Sequence, residues 1–271
     1  MISFPNAKIN LGLNITEKRP DGYHNIETVL YPMPLCDILE INIALDAQFS
    51  FDSSGLIMDC YSADNLCVKA YYLMHQHFEV PPVKMWLHKI IPSGAGLGGG
   101  SADAAFTLKM LNKIFNLKLE KTTLIELAAN LGMDCPFFIE NLPALATSRG
   151  DMLTPLEFSL NGHTICIAHP DIHISTAEAY AEIIPYEGQI SPATLIAFPA
   201  SSWKEMLENQ FEKTLFATHP RLQSIKKTMY DSGAVYSSLT GSGSAVFGIF
   251  NSSPNLLSKF EGMFYWEGKL E

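Results

Sequence analysis

The chain has 271 residues, 47% of them hydrophobic and 17% charged, with a formal net charge of −10. That length suits one large domain or two intimately packed lobes, and the apolar content supplies a full core and excludes a disordered chain. The acidic balance, with Lys and Arg scattered, argues against nucleic acid or an anionic membrane as partner, so a phosphate site must be positive only locally.

The opening stretch MISFPNAKIN lacks the basic n-region and the apolar run of a signal peptide. No apolar run approaches the roughly 18 residues of a membrane span, so the chain is expected in the cytoplasm. The cysteines, Cys36, Cys60, Cys67, Cys135 and Cys166, are odd in number and lack a C-x-x-C pair, and they read as reduced thiols.

Residues 2–16 alternate in part, with Leu11, Leu13 and Ile15 on one face and Asn10, Gly12 and Asn14 on the other, which predicts a strand. Arg19-Pro20-Asp21-Gly22 is a turn, because Pro presets φ and Gly accepts a positive one. Strands over 26–33 and 37–44 follow. Residues 62–65 offer capping groups before a helix carrying Leu66, Ala70, Leu73 and His77. A strand is expected over 83–90, then helices over 101–116 and 122–131. A lobe boundary is expected near 148–155, where Gly150, Asp151, Thr154 and Pro155 cluster. Beyond it come a buried strand over 164–168 and helices over 176–183, 203–207 and 221–232. Strands over 234–239 and 245–250 flank the small-residue turn 240–244. Without regular βαβ alternation, this mixture predicts an α+β fold.

The stretch from Ile91 to Ala105 carries the chemistry. Its glycines follow a strand and lead into a helix, so free backbone N–H groups and the positive end of the helix dipole face one spot and can cradle phosphate. A flexible linker would not be bracketed so tightly. A Walker A loop requires a lysine before the final Ser/Thr, and Gly100-Ser101 has none. Gly94-x-Gly96-x-x-Gly99 matches the dinucleotide fingerprint only formally, since the βαβ context is missing. No His-Arg-Asp or Asp-Phe-Gly follows. His75 and His77 would face different ways on a helix, and no metal site is assigned to them.

Pro92-x-x-x-Gly96-Leu97-Gly98, followed by small residues, resembles the ATP loop of the GHMP kinase superfamily, which includes galactokinase and the homoserine, mevalonate and phosphomevalonate kinases. The resemblance covers the whole chain. It is carried further by Ala7-Lys8-Ile9-Asn10-Leu11, Arg19-Pro20-Asp21-Gly22-Tyr23-His24, Gly132-Met133-Asp134-Cys135-Pro136-Phe137 and Leu239-Thr240-Gly241-Ser242-Gly243. These blocks narrow it to the branch acting on cytidine diphosphate-linked methylerythritol, a small-molecule substrate.

The resemblance implies a two-lobed fold with the active site in the cleft, residues 1–150 forming the ATP-binding domain and 151–271 the C-terminal one. It implies ATP with Mg²⁺ and phosphorylation of the substrate's 2-hydroxyl. Asp134 is then the base, with Lys8 beside it, a pairing that keeps a carboxylate ionised. Pro92, Gly94, Gly96, Leu97, Gly98, Gly99, Gly100, Ser101 and Ala102 cradle the nucleotide, with Asn65 and Lys89 near the adenine. Asn10, Tyr23, His24, Thr176, Tyr180 and Gly241 meet the substrate, with cytosine between the Tyr23 and Tyr180 rings and His24 at its edge. The branch often has Phe where Tyr180 stands. The chain is also shorter after 240–243 than the resemblance leads one to expect. A mevalonate- or homoserine-type kinase lacks a use for Tyr23-His24. A non-catalytic nucleotide sensor would be expected to lose Lys8 or Asp134.

Overall fold

A computed structural model describes residues 1–58, 62–186 and 188–271, so Cys60 lies outside the described residues. Among these the strands are β1 (Ile2–Ser3), β2 (Asn6–Lys18), β3 (His24–Cys36), β4 (Ile38–Ile43), β5 (Ser50–Gly55), β6 (Val83–Lys89), β7 (Ala144–Thr147), β8 (Met152–Pro155), β9 (Thr164–His169), β10 (Tyr236–Leu239), β11 (Val246–Phe250) and β12 (Phe264–Lys269). The α-helices are α1 (Leu66–Phe78), α2 (Gly99–Ile114), α3 (Lys121–Ala129), α4 (Cys135–Glu140), α5 (Thr176–Ala181), α6 (Pro192–Leu195), α7 (Trp203–Met206), α8 (Glu212–Thr218) and α9 (Pro220–Asp231). The mixture is α+β, as expected. No described helix is long and apolar enough to cross a membrane.

The chain forms two compact units, and they interleave in sequence. One comprises 1–7, 35–93 and 98–142; the other comprises 8–34, 94–97 and 143–271. The units therefore do not follow one another at residue 150. The long strands β2 and β3 carry the chain from one unit to the other and back, which a reading of turn residues near 150 has no means of detecting.

In the first unit the sheet order is β1-β4-β6-β5, antiparallel except for the parallel β5–β6 pair. A parallel pair needs a crossover, and α1 supplies it. Strand β6 alternates strictly: Val83, Met85, Leu87 and Lys89 are buried, while Lys84 and Trp86 are exposed. Lys89 is thus placed on the core side by strand register alone. Helix α2 packs on α1, α3 and α4, with Ala102, Ala104, Ala105, Leu108 and Leu111 buried.

The second unit has sheets ordered β2-β3-β7-β8 and β10-β11-β9-β12. Strands β9 and β11 are buried throughout. Their core includes Ile15, Cys166, Phe211, Leu222, Met229, Val246 and Phe250. The hairpin between β2 and β3 closes on the expected turn: the Gly22 N–H donates to the Arg19 carbonyl at 3.1 Å, with Gly22 at φ +86.

Candidate active site

Strand β6 ends on Lys89 and α2 starts at Gly99. Gly98, at φ 71 and ψ 13, stands at the N-cap of α2 without a side-chain hydrogen bond. The Ala102 N–H closes the first turn onto the Gly98 carbonyl at 2.9 Å, and the three preceding N–H groups have no acceptor within the helix. The first turn contains no acidic residue, so no helix carboxylate cancels the dipole there. A Cβ on Gly99 would lie 2.8 Å from Ile91 Cγ2, whereas one on the exposed Gly100 would meet only Leu66 Cδ1 at 3.8 Å. Packing under the loop requires Gly99. At Gly100 the bare backbone instead leaves room for an anion over the helix start, so these residues fit a bound phosphate.

Lys89 is 3% exposed and pairs with Asp37 at 2.5 Å and Asp103 at 2.9 Å. Asp37 Oδ1 also accepts from the N–H groups of Ile90 at 2.6 Å and Ile91 at 2.9 Å. Lys89 therefore supports the first residues of the loop from within the core. Asn65 is the N-cap of α1, its Oδ1 accepting from the Cys67 N–H at 2.8 Å. It also lines a groove of about 490 Å³ with Asp52, Ser54, Leu56, Ile57 and Met58. Its neighbour Leu66 is the residue that approaches Gly100, so this groove adjoins the start of α2.

Asp134 stands at the N-cap of α4 but makes no side-chain cap bond, and it is half-buried. A Cβ on Gly132 would lie 3.3 Å from Cys135 Sγ and 3.9 Å from Ser101 Oγ. The turn that carries Asp134 thus lies against the first turn of α2. Burial pushes the Cys135 thiol up to about 12, which keeps it neutral and unreactive there.

In the second unit, Lys8 Nζ donates to Asn10 Oδ1 at 2.7 Å and to the Gly96 carbonyl at 3.0 Å. The Thr240 hydroxyl lies within hydrogen-bonding distance of the same two acceptors, at 3.2 and 3.1 Å. Asn10 Nδ2 donates to Thr28 Oγ1 at 3.1 Å. Gly96, at φ +78, would place a Cβ 2.1 Å from the Thr240 carbonyl oxygen, and a Cβ on Gly241 would lie 3.4 Å from Asn10 Oδ1. Residues far apart in sequence, Lys8, Asn10, Gly96, Thr240 and Gly241, are therefore brought together around a few shared oxygens.

Tyr23 is 51% exposed, with the Arg149 guanidinium 5.5 Å from its ring centre. His24 stacks on Tyr180 with centroids 4.6 Å apart and planes at 17°, and Phe211 meets Tyr180 edge-on at 4.8 Å. The expected cytosine slot beside Tyr180 is thus held by the His24 ring in this structure. Burial and then the nearby Lys18 lower the His24 pKa, favouring a neutral imidazole that can stack and hydrogen-bond. Thr176 opens α5 on the exposed surface, next to the capping Ser175.

Residues 65–141 match the GHMP kinases N terminal domain and residues 195–262 the GHMP kinases C terminal domain. The chain is 50% identical, over all of both chains, to a 4-diphosphocytidyl-2-C-methyl-D-erythritol kinase from Bacteroides fragilis. It belongs to the GHMP kinase family. A protein of the same description from Parabacteroides distasonis is 46% identical, again over both whole chains. A crystal structure of 4-(cytidine 5'-diphospho)-2C-methyl-D-erythritol kinase superimposes with a TM-score of 0.86 at 28% identity, covering 100% of this chain and 99% of the other. A mevalonate kinase structure shares the fold at a TM-score of 0.77 and 14% identity, covering 100% and 99%.

Within this GHMP kinase, sequence reasoning missed Asp37, Asp103 and Asn209. Asn209 Nδ2 donates to the carbonyls of Leu239 and Gly241, both at 2.9 Å, and so sets the turn after β10. A lone Asn or Asp has no local signal of its own. Only the even spacing that puts Lys89 on the apolar side of β6 hinted that buried carboxylates must accompany it.

Proposed function

We propose that this GHMP kinase transfers the γ-phosphoryl group of ATP to the 2-hydroxyl of 4-diphosphocytidyl-2-C-methyl-D-erythritol, in the cytoplasm. The observation that carries the reading is the 50% identity to a kinase of that description along the whole chain. The bare N-terminus of α2 supports the nucleotide part, because its N–H groups suit phosphate oxygens and the adjoining groove at Asn65 suits a base.

In this reading Asp134 accepts the proton of the 2-hydroxyl as its oxygen attacks the γ-phosphorus. The bond from that phosphorus to the β–γ bridging oxygen breaks, and ADP leaves. Lys8, aimed by Asn10 and the Gly96 carbonyl, supplies positive charge to the transferring group. Mg²⁺ arriving with the nucleotide would neutralise part of the phosphate charge. The protein's own part at the phosphates is to hold them with the backbone N–H groups at the start of α2. Tyr23, with its exposed ring, and the His24–Tyr180 pair read the cytosine, and Thr176 and Gly241 contact the rest of the substrate.

The test is ADP production with a panel of the cytidylyl compound, its uridylyl counterpart, mevalonate and homoserine. Rapid turnover is expected with the first alone. Turnover of mevalonate or homoserine in preference to it would overturn the reading.

A further inference from the structure

The cluster of Asp37, Lys89 and Asp103 is buried, with exposures of 0%, 3% and 2%. It holds two carboxylates against one ammonium, which leaves one negative charge over if both acids are ionised. Asp103 Oδ1 is buried without a hydrogen-bond partner, while its other oxygen shares the Lys89 ammonium with Asp37. An orphaned carboxylate oxygen in a buried cluster where two carboxylates share one ammonium is costly, and a proton on Asp103 removes the excess charge and relieves the orphan. The cluster also has a place in the loop's construction. Asp37 holds the backbone at Ile90 and Ile91, Lys89 ties Asp37 to Asp103, and Asp103 lies on the first turns of α2, four residues past Gly99.

We propose that this cluster positions the phosphate loop, and that an anion over the start of α2 is held more tightly when Asp103 carries its proton. The inference rests on the nucleotide reading above. Asp103 is pushed up to about 7 by burial, with Lys89 opposing and Asp37 adding to the rise. Burial alone lowers the Lys89 ammonium, but the two carboxylates outweigh it, and its pKa is raised. The other titratable groups that face the cluster are the Cys67 thiol of α1, raised by burial and then by Asp103, and the Cys36 thiol beside Asp37, raised by burial and then by Asp37. Both stay neutral across the range in question. Asp103 changes charge near neutrality.

The consequence follows from linkage. Below about pH 7 the cluster is neutral overall and the helix start is electropositive. As pH rises through about 7, the free protein loses the Asp103 proton and a net negative charge appears beneath the phosphate site. A bound nucleotide raises the Asp103 pKa, so binding recaptures a proton. Nucleotide affinity is expected to fall roughly tenfold between pH 6 and 8.5, the scale of one charge several ångströms away in partly screened protein.

The experiment is calorimetry of ADP binding to the wild type and to Asp103→Asn, in pairs of buffers with different ionisation enthalpies. The asparagine copies the protonated acid: it is uncharged, and its oxygen accepts from Lys89. Because the ADP's own titration is common to both proteins, the difference between them isolates Asp103. The inference expects extra proton uptake in the wild type that peaks between pH 7 and 8, and a flatter affinity profile in Asp103→Asn. Equal uptake in the two proteins, with ADP bound normally, overturns the inference and leaves the nucleotide reading standing. Absence of ADP binding in the folded wild type overturns both. If Asp103→Asn does not fold, the Asp103 carboxyl ¹³C shift, followed against pH in wild-type protein with and without ADP, decides the matter. A midpoint that ADP leaves unmoved counts against the inference.

Discussion

Lys8 and Lys89 are equally buried, at 3% exposure each. Lys89 pairs with the carboxylates of Asp37 and Asp103, and Lys8 donates to an amide oxygen and a backbone carbonyl. The same scale separates the glycines of the loop. Replacing Gly100 by Val is expected to leave the melting temperature within a few degrees of the wild type, since only Leu66 stands near, while weakening ATP at least tenfold in a direct binding assay. Unchanged ATP affinity would show that no phosphate lies over Gly100. Asp134→Asn is expected to lower turnover by roughly 10²–10⁴ with ATP affinity nearly unchanged, the range for a positioned acid–base group. Near-wild-type turnover would remove Asp134 from its role. These single residues were legible in sequence because motif blocks mark them. The carboxylates around Lys89 were not, because they come from three separate stretches and meet only after folding.

At the scale of elements, the turn after β10 and the loop segment 94–97 are fitted to each other with almost no clearance. Gly96→Ala combines a positive φ with a Cβ aimed at a carbonyl oxygen 2.1 Å away, so it is expected to cost about 3 kcal/mol or more in urea unfolding. A loss below 1 kcal/mol would mean that the turn yields easily. The strongly patterned elements were readable: β6 and β11 by their apolar residues, α1 by spacing and capping, and α2 by spacing. Strand β5, Ser-Phe-Asp-Ser-Ser-Gly, has no apolar alternation, because it is an edge strand with much of its surface in solvent. The expected first strand over 2–16 is split into β1 and β2 at Phe4-Pro5, since proline withholds a ladder donor. The stretch 148–155 that turn residues marked as a boundary holds the turn from β7 into β8 and β8 itself, a hairpin within one sheet.

Across the whole molecule, the acid in the core sets how stability responds to pH. Asp103 has a folded pKa of about 7 against an ordinary 3.8, so the folded protein binds a proton that the unfolded chain releases. That contribution is fully present below pH 3.8 and is lost as pH rises toward 7. Asp103→Asn lacks this loss. Its stability relative to the wild type is therefore expected to climb between pH 4 and 7 and level off above, as read by chemical unfolding at fixed ionic strength. A difference that stays flat across this range would mean that Asp103 is ionised in the folded protein.

The interleaving of the two units along the chain has a practical corollary for dissection. Segment 8–34 sits among residues that come after 142, and the tetrapeptide 94–97 belongs with them too, so neither unit exists as a contiguous stretch of polypeptide. A fragment ending at residue 150 would leave β2 and β3 with most of their unit missing, exposing β2, which is buried from Asn6 to Ile15, and the buried middle of β3. Expressed alone, such a fragment is expected to aggregate, whereas coexpression with residues 151–271 should recover soluble, co-purifying halves. Soluble, cooperatively melting protein from the 1–150 fragment by itself would contradict this.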